Sequence, residues 1–169
     1  MSKSFKGKPC PGEFEVKSDQ TENLSNVDLQ IISLLQEDCR LSFNKIASKL
    51  GISAGTAFNH VKNLEKNGIL KSYTAIVDSS KLGYGLTAVV LVQVEGDHLA
   101  DVEKELVKIA NVIAVYDITG DYNAVVVTKF KDGTDLNTFI KRLLATPYIR
   151  RTVTNVALSV IKEDFQIKL

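Results

Sequence analysis

Residues Leu41–Gly68, LSFNKIASKLGISAGTAFNHVKNLEKNG, decide the reading of this chain. The stretch predicts a helix, a three-residue turn and a second helix. Ser42 is a candidate N-cap, and Phe43, Ile46, Ala47 and Leu50 recur at i, i+3, i+4 and i+7, the apolar stripe of a short amphipathic helix. Gly51 follows at once, where a left-handed backbone lets the chain turn sharply. Ser53 caps the next helix, Ala57, Val61 and Leu64 form its apolar stripe, and Asn67-Gly68 ends it. Two short helices joined this tightly cross steeply and leave one projecting from the surface, the arrangement that places a helix in a DNA major groove.

The second helix is polar on its outer side. Opposite Ala57, Val61 and Leu64 stand Gly55, Thr56, Asn59, Lys62, Asn63 and Lys66, with Ser53 and His60 at the margins. Small and amide side chains reach base edges, and lysines suit phosphates. A solvated face of a small helical domain would show the same pattern, so charge is the discriminating feature. The whole chain has 21 basic and 20 acidic side chains. Residues 39–74, however, hold Arg40, Lys45, Lys49, Lys62, Lys66 and Lys71 against Glu65 alone, a local excess of five positive charges. That excess coincides with the helix pair, as a phosphate-binding surface requires. Its modest size implies that two copies act together on double-stranded DNA.

Around this core, residues 1–24 read as an extension without periodicity, with Phe14-Glu15-Val16 as a possible short strand and Cys10 between Pro9 and Pro11. Residues 25–68 form the helical domain, opened by a Ser25-x-x-Asp28 capping box and a helix carrying Val27, Ile31, Leu34 and Leu35. Residues 69–84 are a linker, with Ile69–Val77 read as a strand. From residue 85 to 169 strands and helices alternate: strand Leu86–Val94, helix Leu99–Ile109, strands Val112–Ile118 and Asn123–Phe130, helix Asp135–Leu144 and strand Val153–Ile161. Only Thr119-Gly120-Asp121-Tyr122 separates the second and third strands, a hairpin turn with glycine where a positive φ is wanted. The fold class is therefore α+β: a three-helix helix-turn-helix domain joined by a strand linker to a βαββαβ ferredoxin-like sandwich. Such a sandwich leaves one sheet face bare, which predicts a homodimer. The longest apolar run, Ala88–Val92, is too short to span a bilayer, and no leader precedes the fold, so a cytoplasmic protein is expected. Cys10 and Cys39 make neither a disulfide framework nor a metal site, and no cofactor is expected.

Taken together, the chain resembles the Lrp/AsnC, or feast/famine, family of transcription regulators. The resemblance rests on Asp28-x-x-Ile31-x-x-Leu34-Leu35, Arg40-Leu41-Ser42, Ile46-Ala47, Gly51-Ile52-Ser53, Val61-x-x-Leu64-Glu65-x-x-Gly68-Ile69-Leu70, Tyr73-Thr74-Ala75, Leu82-Gly83-Tyr84 and Gly120-Asp121-Tyr122-Asn123. It implies a DNA-binding, amino-acid-sensing regulator whose dimers assemble further, commonly into octamers. It also places an effector site at Gly120, Asp121, Tyr122 and Asn123 and at the edge around Thr152 and Thr154. Turn amides, a carboxylate, an amide and hydroxyls suit the two charged ends of a free amino acid. On the residues alone, Gly120-Asp121 is equally a plain hairpin turn and the threonines equally fill a strand.

This chain departs from the family pattern at three positions. His60 and Asn63 stand where the family usually has arginine, and His60 lies between the core and outer faces, where packing is as natural as a DNA contact. Asn123 stands where the family's hairpin motif commonly ends in Asp. Two other classes compete with a sequence-specific regulator. One is an architectural protein that compacts DNA with little sequence preference. The other is an enzyme resembling the sirohaem decarboxylases, which share the two-domain layout. The enzyme needs histidine or arginine groups inside the sandwich, whereas only His98 is present there, and Arg142, Arg150 and Arg151 form no evident cluster.

Overall fold

A computed structural model describes residues 24–169. The expectations for Phe14-Glu15-Val16 and Cys10 lie outside the described residues. Within them the chain forms two compact units, one of residues 24–76 with 164–169, the other of residues 77–163.

The first unit is built on three helices, each begun by a serine. α1 (Asn26–Glu37) is capped by Ser25, α2 (Phe43–Leu50) by Ser42 and α3 (Ala54–Lys66) by Ser53. Each serine oxygen accepts an amide N–H that the helix itself leaves without a partner. At α1 the bond is reciprocal: the Asp28 N–H donates to Ser25 Oγ at 3.2 Å, and the Ser25 N–H donates to Asp28 Oδ2 at 2.9 Å. Gly51 (φ +67°) takes the left-handed conformation that turns α2 into α3. Ile31, Leu35, Ile46, Ala47, Ala57, Val61 and Leu64 close the core. Phe43, expected on the inner stripe of α2, instead faces outward and is 38 % exposed. The linker strand expected over Ile69–Val77 does not form among the described residues, where 71–78 pair with no other strand. β-forming side chains favour an extended backbone, but only a partner strand supplies the ladder hydrogen bonds.

The second unit has the element order β1 (Leu86–Val94), α4 (Leu99–Leu106), β2 (Val112–Asp117), β3 (Ala124–Phe130), α5 (Gly133–Leu144), β4 (Ile149–Val156). The strands form one antiparallel sheet in the order β2-β3-β1-β4, the split βαβ sandwich expected. β3 alternates strictly between buried and half-buried residues, and β1 does so from Ala88 onward. Ala88, Val90, Val92 and Val94 of β1 and Ala124, Val126 and Phe130 of β3 are buried against Val102 and Leu106 of α4 and Phe139 and Leu143 of α5. The last strand begins at Ile149 and ends at Val156, not at Val153 and Ile161. Its bounds follow β1, whose Ala88 pairs with Val156 and Val94 with Ile149, leaving no template for residues beyond Ala157. α4 likewise stops at Leu106, and Ile109 reaches the core from the turn that follows.

The final residues do not stay with this sheet. In the first unit, the Gln36 side chain clips the chain terminus to α1. Gln36 Nε2 donates to the Ile167 carbonyl at 3.0 Å, Gln36 Oε1 accepts the Ile167 N–H at 2.9 Å, and Gln166 Nε2 donates to the Gln36 carbonyl at 2.6 Å. Residues 164–169 therefore pack with the helices. Among the described residues no helix is long and apolar enough to cross a membrane.

Candidate functional site

α3 buries Ala57, Val61 and Leu64 and presents Gly55, Thr56, Asn59, Lys62, Asn63 and Lys66 to solvent, all on the side away from the core. Ser53 is exposed too, but its hydroxyl is occupied: it accepts the Thr56 N–H at 3.0 Å and lies 2.8 Å from Thr56 Oγ1. Ser53 and Thr56 thus fix the N-terminal turn of α3. Asn59, Asn63 and Lys66 carry their polar groups at the exposed surface without such local ties. Gly55 is conspicuous for a different reason. A Cβ there would meet nothing nearer than Ser53 Oγ at 3.8 Å, so neither sterics nor backbone conformation within the unit calls for glycine. Glycine in a helix costs up to about 1 kcal/mol relative to alanine.

The basic side chains of this surface are not equivalent. Lys62 Nζ lies 2.6 Å from Glu65 Oε2, and the same glutamate accepts the Tyr73 hydroxyl at 3.0 Å through Oε1. The Lys62 charge therefore already has a partner within the helix. Burial and the Glu65 hydrogen bond push the Tyr73 phenol up to about 12. Arg40 is similarly tied to Asp38 at 2.9 Å. Lys49 and Lys66 are exposed, with no such partner, and suit phosphate oxygens directly.

His60 faces the other way. Its Nδ1 is 2.7 Å from Oδ1 of Asp28, the capping-box carboxylate, which is nearly buried. Burial alone would raise the Asp28 pKa, but the hydrogen bonds from Ser25 and His60 outweigh it and hold the carboxylate below its ordinary value. In this unit His60 therefore joins α3 to the start of α1, the packing alternative that its position on the helix left open.

The sandwich brings the proposed effector residues to one end of its sheet. Ile118 and Asn123 close the β2–β3 turn, with the Ile118 N–H donating to the Asn123 carbonyl at 2.8 Å, and Gly120 takes φ +125°. Asp121 is exposed; its carbonyl accepts Gln93 Nε2 at 3.1 Å. Tyr122 is partly exposed. Besides that carbonyl bond, Asn123 makes two more: its N–H donates to the Val92 carbonyl at 2.9 Å, and its side-chain oxygen accepts the Val94 N–H at 2.8 Å. That last bond falls where the β1–β4 register slips at Gln93/Val94 and an amide would otherwise go unpaired. Thr152 is opposite Val92, which is itself opposite Ala124, so Thr152 and the hairpin lie in one row across the sheet. Thr154 lies one row further in, opposite Val90. By strand alternation both threonines point to the helix-covered side.

One feature at this end had no signal in the sequence. Tyr148 takes φ +69°, unusual for a residue with a side chain, and its ring stacks on His98 at 3.6 Å between centroids. Its carbonyl accepts the Glu95 N–H at 2.8 Å, so the strained residue abuts the same end of β1 as the hairpin.

A three-helix unit with an exposed polar reading helix, carried by a chain that also holds a βαββαβ sandwich, defines a two-domain DNA-binding regulator. Comparison with known proteins agrees. Residues 24–71 match the winged helix-turn-helix DNA-binding family, and residues 87–167 match the Lrp/AsnC ligand binding domain. An uncharacterized HTH-type transcriptional regulator of Pyrococcus furiosus is 38 % identical over 145 residues, covering 86 % of this chain and 98 % of that protein. The crystal structure of an AsnC family transcriptional regulator from Agrobacterium tumefaciens superposes with a TM-score of 0.80 at 22 % identity, over 86 % of this chain and 97 % of that one. A transcriptional regulator from Neisseria meningitidis, solved as a complex with L-Met, gives 0.79 at 23 % identity, over 86 % and 96 %. The chain belongs to the Lrp/AsnC family of helix-turn-helix transcriptional regulators, and it is not an enzyme. Despite the winged family match, no two-stranded hairpin follows α3 among the described residues.

Proposed function

We propose that this protein is a sequence-specific transcription regulator that binds double-stranded DNA as a homodimer and responds to a free amino acid. Residues 25–68 read DNA, residues 69–84 link, and the sandwich from residue 85 senses effector and pairs subunits, in the cytoplasm. The observation that carries the DNA-reading role is the outer face of α3: Gly55, Asn59 and Asn63 are exposed, and nothing in the helical unit requires a glycine at 55. α3 of each subunit enters the major groove, with half-sites about one helical turn apart. Asn59 contacts base edges, while Lys66 and Lys62 contact phosphates.

Pairing is supported by the bare side of the sheet. Val89 and Leu91 of β1, Val125 and Val127 of β3 and Val153 of β4 alternate away from the helices and are only partly covered. Burying that apolar face against a second copy removes it from water at about 25 cal/mol per Å². Dimers would then assemble into higher oligomers such as an octamer, as family resemblance implies. An amino-acid effector is supported by the ligand-binding family match and by the L-Met complex of the Neisseria meningitidis relative. The Gly120–Asn123 turn, with Thr152 in the same row, offers the carboxylate of Asp121 and free turn amides to its charged ends.

The test is selection of duplexes from a randomised pool by the whole protein, with and without each of the twenty amino acids. Enrichment of a palindrome whose occupancy shifts with one or a few amino acids is expected. Tight binding without enrichment, steeply weakened by salt and indifferent to every amino acid, would replace this reading with an architectural one.

A further inference from the structure

α3 carries an aromatic ring that the helical core does not use. Phe58 is 43 % exposed and Phe43 of α2 is 38 % exposed, and their rings meet edge to face at 5.3 Å and 87°. Lys62 Nζ stands 6.0 Å from the centre of the Phe58 ring. By helical spacing, Phe58 lies beside Asn59 and about one turn from both Gly55 and Lys62, on the rim of the reading face. The Phe43 contact fixes its orientation and leaves nearly half of it in water. Its surroundings do not suit an apolar protein partner. Residues 39–74 carry the chain's excess of positive charge, and the flank next to Phe58 is the open backbone of Gly55.

We propose that Phe58, steadied by Phe43, is a base-reading residue that packs against the C5-methyl group of thymine in the major groove. This rests on the reading of α3 as the helix that enters that groove. Among the groups the major groove displays, the thymine methyl is the apolar one, and an aromatic edge is a fitting contact for it. Asn59, the next residue, is positioned to hydrogen-bond a neighbouring adenine, so the two side chains together would favour A·T-containing steps. Lys62, one turn on, would hold the adjoining phosphate.

The experiment uses the whole protein and operators selected from a randomised pool. Each thymine is replaced singly by deoxyuridine, which keeps every hydrogen-bonding group and lacks only the methyl. For the wild type, at least one thymine in each half-site should show about a fourfold loss of affinity, the worth of one buried methyl. Phe58→Ala should bind thymine and deoxyuridine operators alike, and Phe58→Leu should retain part of the difference. If every deoxyuridine operator binds as its parent does, or if Phe58→Ala keeps the full methyl effect, the assignment of Phe58 is overturned while α3 remains the reading helix. Equal losses by Phe58→Ala on selected and random duplexes, with the methyl effect intact, would make the ring a sugar contact and overturn it too. Failure to enrich any sequence would overturn both readings. Should Phe58→Ala not fold, judged by its helical circular dichroism, Phe58→Leu decides: an undiminished methyl effect overturns the proposal and a reduced one supports it.

Discussion

At Gly55 the folded unit and the proposed DNA contact ask for different residues. Open space around the missing Cβ means that Gly55→Ala should be tolerated by the helix and should raise stability by up to about 1 kcal/mol. The same methyl would stand between α3 and the floor of a groove. Affinity for a selected operator should fall by about tenfold or more, some 1.4 kcal/mol, and titration of labelled duplex beside a thermal melt reads both effects. Unchanged affinity would remove Gly55 from the interface. Asp28 makes a prediction of the opposite kind, about stability alone. Its folded pKa is depressed below 3.8, so the unfolded chain takes up the proton first as pH falls. Its contribution is thus present above 3.8 and lost as pH falls through the folded value. Melting temperature should drop over that window, and Asp28→Asn should be less stable at neutral pH with a flatter acid limb.

At the scale of elements, three serine caps define the helical unit, and a side-chain amide defines the hairpin. Asn123 accepts the Val94 N–H across a bulge, so Asn123→Ala leaves a partly buried amide without a partner and should cost about 1–3 kcal/mol. Asn123→Asp keeps an acceptor and should retain most of that stability. A carboxylate there adds a negative charge beside Asp121, so the two variants separate the architectural role of Asn123 from any role in effector choice. Denaturant melts report the first, and amino-acid-dependent shifts in DNA occupancy report the second. Should Asn123→Ala melt like the wild type, the tie to Val94 is not what holds the turn.

For the whole molecule, the sheet face opposite the helices makes the strongest demand. Leu91 and Val127 lie on that side of the two central strands, away from the helix-covered core. Leu91→Glu or Val127→Lys would place a charge within the proposed subunit contact, where leaving it unpaired is costly. Either variant should sediment as a monomer, keep the secondary structure of the sandwich and lose most operator affinity, because one helix pair supplies half the contacts. A variant that remains dimeric would move the interface to another surface. An assembly through this face would bury about 800 Å² on each subunit if it is of ordinary size.

How much of this was legible in the sequence differs from feature to feature. The serine caps, the Gly51 turn, the stripes of α1 and α3 and the order of strands and helices follow from local rules: a cap needs an oxygen at one position, and a core face needs apolar residues at the period of its element. The bounds of β4 were not legible, because a strand ends where its neighbour ends, and Ala88 and Val94 of β1 set those limits from some 60 residues away. Ile69–Val77 has a strand's composition but no partner strand among the described residues, since pairing is a property of two segments and not of one. The sequence by itself determined the family, through short motifs kept in order along the chain, and the helix-turn-helix and polar face of α3, set by residues within a turn or two of each other. Only the tertiary structure decided that His60 serves Asp28, that Tyr73 reaches Glu65, that Gln36 clips residues 166 and 167, and that Phe43 leaves the core to brace Phe58. Each depends on which side chains three-dimensional packing brings within a few ångströms, and no periodicity along the chain encodes that.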